Sequence, residues 1–480
     1  MGKITRRRFL HTAAVAAGHA LLQGYPAREA GAVTEADLAP YLQAKINWKQ
    51  VSGETITVLI TPAFYFGIFS RFTPEFTALT GVNVNYETIQ PRENRENAVL
   101  DLGAKTANYA SHTADPMYLP LYAANRWVEP LDRFLEDPML TDKAWFNLDD
   151  IVPLWRQADS VGGKLYAMPM EGEVTIHFYR SDVYAQHDLK PPQTFEELRE
   201  TARKTHDPGK KLWGFALRGF RGPGQNAYIW PSLFRAWGGQ WFAASGEPAV
   251  NSEAGVKSLE WYVDMNRAYA PPGVENWNWP ELMEAMAAGT LVQYIDGNPA
   301  ASIIENLARS KVTGKVGFGR WPKGPSGRRV SSIWNWAYPI NAALPERKKK
   351  ATWLYLQWLA SKPTQLRTAT FRENPQSVAA RRQASLVALG AGGVRTGVNR
   401  LSIWNDPDYR RLISFTPNYP DVVLQSLRED TDVDWRPRVP QWPEIGEVIS
   451  VAIQAALVKQ KTATQALDEA NREIAKIMKG

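Results

Sequence analysis

The chain has no cysteine in its 480 residues, which excludes disulfide frameworks, thiolate metal sites and iron–sulfur clusters together. Histidine is scarce as well. Of the six present, His11 and His19 fall near the N-terminus. His112, His177, His187 and His206 show none of the close His-x-His or His-x-x-x-His spacings that build a metal site. No metal or other cofactor is therefore expected. Long apolar runs are also missing: the Ala-rich stretch from Thr12 to Leu22 is about 11 residues long, well short of the ~20 needed to span a bilayer. There is no phosphate-binding P-loop and no Gly-x-Ser-x-Gly nucleophile motif. The net charge of +7 is dispersed, with short basic clusters only at Arg6 to Arg8 and at Arg347 to Lys350. Without a basic stripe interleaved with aromatics, nucleic acid is not an expected partner.

What is present begins with an address. Thr5-Arg6-Arg7-Arg8-Phe9-Leu10 sets paired arginines directly before the short apolar run, the arrangement read by the twin-arginine export machinery. Ala30-Gly31-Ala32 supplies small residues for a signal-peptidase cut. Residues 1–32 read as a cleavable signal, 33–53 as an N-terminal extension, and the periplasm as the destination. An amphipathic helix at the start of a cytoplasmic protein is the competing reading.

About 450 residues then remain, more than one hydrophobic core supports, so two domains are expected. Aromatic residues are abundant, with 19 Trp, 18 Tyr and 17 Phe. Flat rings stack on the C–H faces of sugars and polyols, although the same residues also fill cores.

Thr55 to Ile60 is β-branched and strand-like, Phe69 to Leu79 carries helical apolar spacing, Thr80-Gly81 ends that helix, and Val82 to Tyr86 alternates as a second strand. That is a βαβ unit and calls for a parallel sheet. Arg95 to Lys105 continues as a helix. Gly162-Gly163 is a turn before a strand ending at Pro169, and Thr175 to Tyr184 is a strand entering a short helix. Thr194 and Glu197 form a capping box for a helix running to Lys204. Helices over 349–360, 445–459 and 464–479 close the chain. The fold class is α/β.

Phe72-x-x-Glu75-Phe76-x-x-x-Thr80-Gly81-Val82-x-Val84, Gly163-Lys164-Leu165-Tyr166-Ala167-Met168-Pro169, Thr194 to Leu198, Trp237-Gly238-Gly239 and Trp353-x-x-x-Gln357-Trp358-Leu359 occur in this order. Together they make the chain resemble the family 1 extracellular solute-binding proteins, the carbohydrate-binding group of ABC importers that includes maltose-binding protein. The resemblance covers nearly the whole exported chain. It implies a two-lobed, type II-like periplasmic-binding-protein fold that closes around a ligand held between lobes. Lobe one would comprise 54–159 and 334–405, and lobe two 160–333 and 406–480. It also implies a non-catalytic monomer that captures a sugar, sugar alcohol or related solute and delivers it to an inner-membrane permease.

Such a site needs aromatic platforms and directional polar groups, because hydroxyls buried without partners cost about 1–3 kcal/mol each. Trp334, Asn335 and Trp336 stand where the family's chain passes beside its ligand. In an extended segment the two indoles share one face and Asn335 takes the other. Tyr294 and Asp296 end an apolar run, where Asp296 suits either ligand hydroxyls or a helix N-cap. Asp115 and Met117, Phe64 and Tyr65, and Glu171 and Glu173 follow other strands. Arg372, Asn374, Arg436 and Arg438 offer guanidinium and amide groups, either to an anionic sugar or to structural ion pairs. Two other readings remain open: an exported carbohydrate-active hydrolase working through paired carboxylates, and a same-fold binder of peptides, polyamines or ferric ion.

Overall fold

The structure is a computed structural model that describes residues 33–61, 64–307, 309–370 and 395–479, with only the backbone described at 64–66. Residues 1–32, read above as an export signal, lie outside the described residues. So do Arg372 and Asn374. The chain divides into two compact units. The first draws on Met1–Thr113, Trp127–Leu148 and Tyr338–Gly392, and the second on Ala114–Arg126, Asp149–Ala337 and Gly393–Gly480.

The first unit is built on the βαβ pattern. β1 (Thr55–Ile60) lies between β2 (Asn83–Thr88) and β3 (Ser111–His112), parallel to both. α1 (Phe64–Thr80) makes the crossover and begins earlier than its apolar spacing predicts, so Phe64 and Tyr65 form its first turn. Gly81 ends it at φ +71°, and a Cβ there would meet Ser52 Oγ at 2.1 Å. Only glycine combines that left-handed backbone with so close a neighbour. The helix Glu346–Ala360 packs Tyr355 and Trp358 against Phe76 at 5.4 and 5.5 Å between ring centroids. The stretch read as an N-terminal extension joins this unit, with Tyr41, Trp48 and Val51 buried and the Tyr41 hydroxyl bonded to Thr364 at 3.0 Å.

In the second unit the short strands β4 (Ser160–Val161) and β5 (Lys164–Leu165) form a hairpin, and the unit centres on β6 (Ala167–Arg180), which pairs antiparallel with β7 (Gln293–Gly297) and β8 (Val316–Gly319). β9 (Ile333–Pro339) also pairs with β6 and carries the chain from the second unit into the first. β6 does not stop at Pro169. Its ladder with β7 and β8 starts at Thr175, so the missing proline N–H costs no ladder bond there. The helix Phe195–Thr205 starts at Thr194, whose hydroxyl accepts from Glu197 N at 3.2 Å. The Glu197 carboxylate closes the box one residue early, accepting from Gln193 N at 2.6 Å. Much of the tryptophan fills cores: Trp155, Trp230, Trp321, Trp353, Trp358, Trp404, Trp435 and Trp442 are all but sealed from solvent.

Candidate functional site

Most of the described candidates lie in the second unit, where β-register brings several together. Ala216 forms a parallel bridge to Tyr294, so two residues further along both segments Arg218 reaches Asp296. Arg218 Nε donates to Asp296 Oδ2 at 2.8 Å, and a second guanidinium nitrogen pairs with Oδ1. Both side chains are buried. Asp296 is therefore a strand residue committed to an ion pair and caps no helix. Arg218 also donates to Gly224 O at 3.0 Å and lies over the Tyr228 ring at 4.7 Å.

Tyr228 connects this pair to the aromatic platform. Its hydroxyl donates to Glu173 Oε1 at 3.1 Å, and its ring meets Trp334 edge-on at 5.6 Å and Trp435 at 5.7 Å. Trp334 and Trp336 contact each other at 5.9 Å on one side of β9. Asn335 points elsewhere, as strand alternation requires, and donates to Asp159 Oδ2 at 2.6 Å. Burial pushes the Asp159 carboxyl well above the usual range, with Asn335 and the Arg438 charge opposing. Arg436 lies over Trp334 at 5.3 Å and Trp435 at 5.0 Å.

Glu171 and Glu173 sit two residues apart on β6 and have different fates. Glu171 is buried and ion-paired with Arg395, whose Nε donates to it at 2.9 Å; burial raises its pKa against that charge. Glu173 is half-buried. Burial pushes it up to about 7, the Arg218 cation opposes, and the Asp296 carboxylate adds to the rise. Gly297 makes room for it, since a Cβ there would stand 2.8 Å from Glu173 Oε1.

Of the described candidate side chains, Glu173, Trp336 and Arg438 are half-buried, while Trp334, Asn335, Asp296, Tyr294, Asp115, Met117, Glu171 and Arg436 are buried. Tyr294 stacks on Phe178 at 4.7 Å in the sheet core. Asp115 and Met117 follow the bridge Ala114–Ala337. Phe64 and Tyr65 belong to the first unit.

Beside the group, the second unit carries an open depression of 730 Å3 whose walls include Arg156, Ser160, Gly162 and Arg438. A smaller one shares Arg438 and adds Met117, Trp435 and Arg436. Sequence reasoning missed Tyr228, Arg218, Asp159 and Arg156. Arg218, directly after the apolar run Phe215 to Leu217, repeats the polar-after-strand signal that singled out Asp296. Tyr228 lies in the buried helix Asn226–Ala236 and gave no signal. Within this group Glu173 and Trp336 keep partial exposure, while Arg218, Asp296, Glu171 and Arg395 are buried in ion pairs.

Residues 61–366 match the sequence pattern of the bacterial extracellular solute-binding proteins. A mannitol-binding protein of Pseudomonas aeruginosa is 27% identical over 391 residues, covering 80% of this chain and 84% of that protein. An ABC transporter solute-binding protein from Agrobacterium radiobacter, solved in complex with ribitol, superimposes with a TM-score of 0.75 at 27% identity over 89% of this chain and 99% of its own. Another from Agrobacterium vitis, solved with D-mannitol bound, gives 0.72 at 26% identity over 89% and 99%. With nearly two thirds of its length inside the family pattern and an α/β fold shared with solved solute-binding proteins, the chain belongs to the bacterial extracellular solute-binding proteins.

Proposed function

We propose that this protein is the periplasmic receptor of an ABC importer, that its ligand is an acyclic polyol or a closely related sugar, and that it binds without chemical turnover. The observation that carries the reading is the half-buried Glu173 carboxyl, held by Tyr228 next to the Trp334–Trp336 pair, in a chain similar to receptors solved with ribitol and D-mannitol. A carboxylate accepts hydrogen bonds from two adjacent hydroxyls of a polyol, and an indole face covers the C–H side of the carbon chain. Arg218 and Asp296 neutralise each other and hold Tyr228 in position, so the site is organised before ligand arrives. In this reading the two compact units are the receptor's lobes, the protein works as a monomer, and a separate permease and ATPase complete the importer. The twin-arginine signal delivers it already folded.

The test is a thermal-shift and calorimetric screen of the exported protein against ribitol, D-mannitol, erythritol, maltose and spermidine. A polyol at 100 times its dissociation constant raises stability by about 2.7 kcal/mol, and chromatography should return it unchanged. A shift with spermidine alone, or consumption of the sugar, would reject the reading. Export is tested separately: the Arg6→Lys, Arg7→Lys variant should remain in the cytoplasm.

A further inference from the structure

The 730 Å3 depression in the second unit has an unusual charge balance. Arg156 and Arg438 line it, Arg436 and Arg438 line its smaller neighbour, and no aspartate or glutamate is among the residues lining either. Arg438 belongs to both. Its guanidinium donates to Gln157 O at 2.9 Å and to Ser160 O, and it has no ion-pair partner among the described residues. Both carbonyls take the same nitrogen, Nη2, and being neutral they leave the charge uncompensated. The Asp159 carboxyl behind it is bonded to Asn335 and, being buried, resists ionisation, so it cancels little of that charge. Arg156 does meet a carboxylate, Asp149 at 3.0 Å, but Asp149 is 93% exposed and the pair is screened by water. Gly162 and Gly163 form the rim at φ +56° and +79°, and a Cβ at either would meet nothing within 4 Å, so the rim stays open.

A half-buried guanidinium bound only to carbonyls is a receptor for an oxyanion, because charge-assisted hydrogen bonds are about twice as strong as neutral ones. We propose that the natural solute is a polyhydroxylated chain ending in an oxyanion, either a carboxylate or a phosphate, and that Arg438, supported by Arg156, receives that end. The proposal rests on the polyol reading and deepens it. Glu173 accepts hydroxyls and offers an anionic end no cation, while Arg438 offers one, so the two groups together set the direction in which the solute lies. A neutral polyol fits the hydroxyl-binding part and leaves the cation unused.

The experiment compares matched pairs by isothermal titration calorimetry on the exported protein: D-mannitol against D-mannonate and D-mannitol 1-phosphate, and ribitol against D-ribonate and ribitol 5-phosphate. At least one oxyanion should bind about tenfold or more tightly than its parent, and the phosphate and carboxylate arms tell the two anion sources apart. The ratio should shrink between 50 and 500 mM salt. It should fall towards one in Arg438→Gln and drop partially in Arg156→Gln, with each variant's ligand-free melt compared with the parent's. Retention of the full ratio in both variants overturns the assignment to these arginines. Neutral polyols binding as tightly as their oxyanions overturn the proposal while leaving the polyol reading intact, and no binding by any member overturns both.

Discussion

At the scale of single residues, the site depends on charges that are already spent. Arg218 and Asp296 are buried and bidentate, with Tyr228 lying against the guanidinium. Removing one partner strands the other in a place that water does not reach, at a cost of about 3–5 kcal/mol. Asp296→Ala is therefore expected to lower the denaturant midpoint strongly, and Arg218→Met combined with Asp296→Leu to recover much of the loss. If Asp296→Ala instead retains full stability and loses only ligand affinity, the carboxylate is a ligand group and its structural role is wrong. The sequence marked Asp296 as an acid at a strand end but could not name its partner, because that depends on the parallel register between Ala216 and Tyr294, 78 positions apart in the chain. Likewise Glu171 and Glu173 look equivalent in sequence. What separates them is Arg395, distant in sequence, which claims one and leaves the other half-buried.

At the scale of elements, regular patterns were readable and irregular ones were not. β1 and β2 appear where apolar spacing puts them and α1 ends where Thr80-Gly81 puts its stop, although it starts five residues before its apolar spacing. β6 was harder: Pro169 looks like its end, yet the strand continues through it and through Gly172. Gly172 is needed because a Cβ at that position would lie 2.1 Å from Trp155 Cε2, and Trp155 is fully buried with no room to retreat. Gly172 N also donates to Gly397 O at 2.8 Å, tying the distant 395–400 segment to β6. Gly172→Ala should destabilise by about 2–3 kcal/mol through overpacking. Because the residue stands between Glu171 and Glu173, ligand affinity should fall with it. The control is Gly162→Ala on the exposed turn, where the cost is local backbone strain of about 1 kcal/mol. Equal midpoints for the two variants in a urea titration would refute the packing argument.

At the scale of the whole molecule, both units bury histidines that acid works against, and the second also holds carboxyls whose protonation acid favours. In the first unit His112 is buried, and burial lowers its pKa to about 3. A histidine whose folded pKa is depressed gives its full stability above the unfolded value near 6.5 and loses it as pH falls towards the folded one. From pH 7.5 to 5.5 that loss is about 1.4 kcal/mol. In the second unit His177, lowered by burial to about 4 and only partly supported by Gln293, acts in the same direction, as does the half-buried His206. Opposing them are three carboxyls raised by burial: Asp159, Glu171, and Glu173, the last alone to about 7. A raised carboxyl stabilises the folded state fully below the unfolded value and loses that contribution as pH rises through the folded one. Acidification to pH 5.5 should therefore weaken the first unit and leave the second at least as stable as before. Amide hydrogen exchange at the two pH values, corrected for intrinsic rates, should show lower protection in β1 and β2 and unchanged or higher protection in β6. In His112→Gln the first unit's response should flatten, and in Glu173→Gln the second unit's gain should shrink. A uniform loss of protection across both units on acidification would mean that the raised carboxyls of the second unit do not hold their protons, and the assignment of Glu173 as a carboxyl poised near neutrality would fall with it.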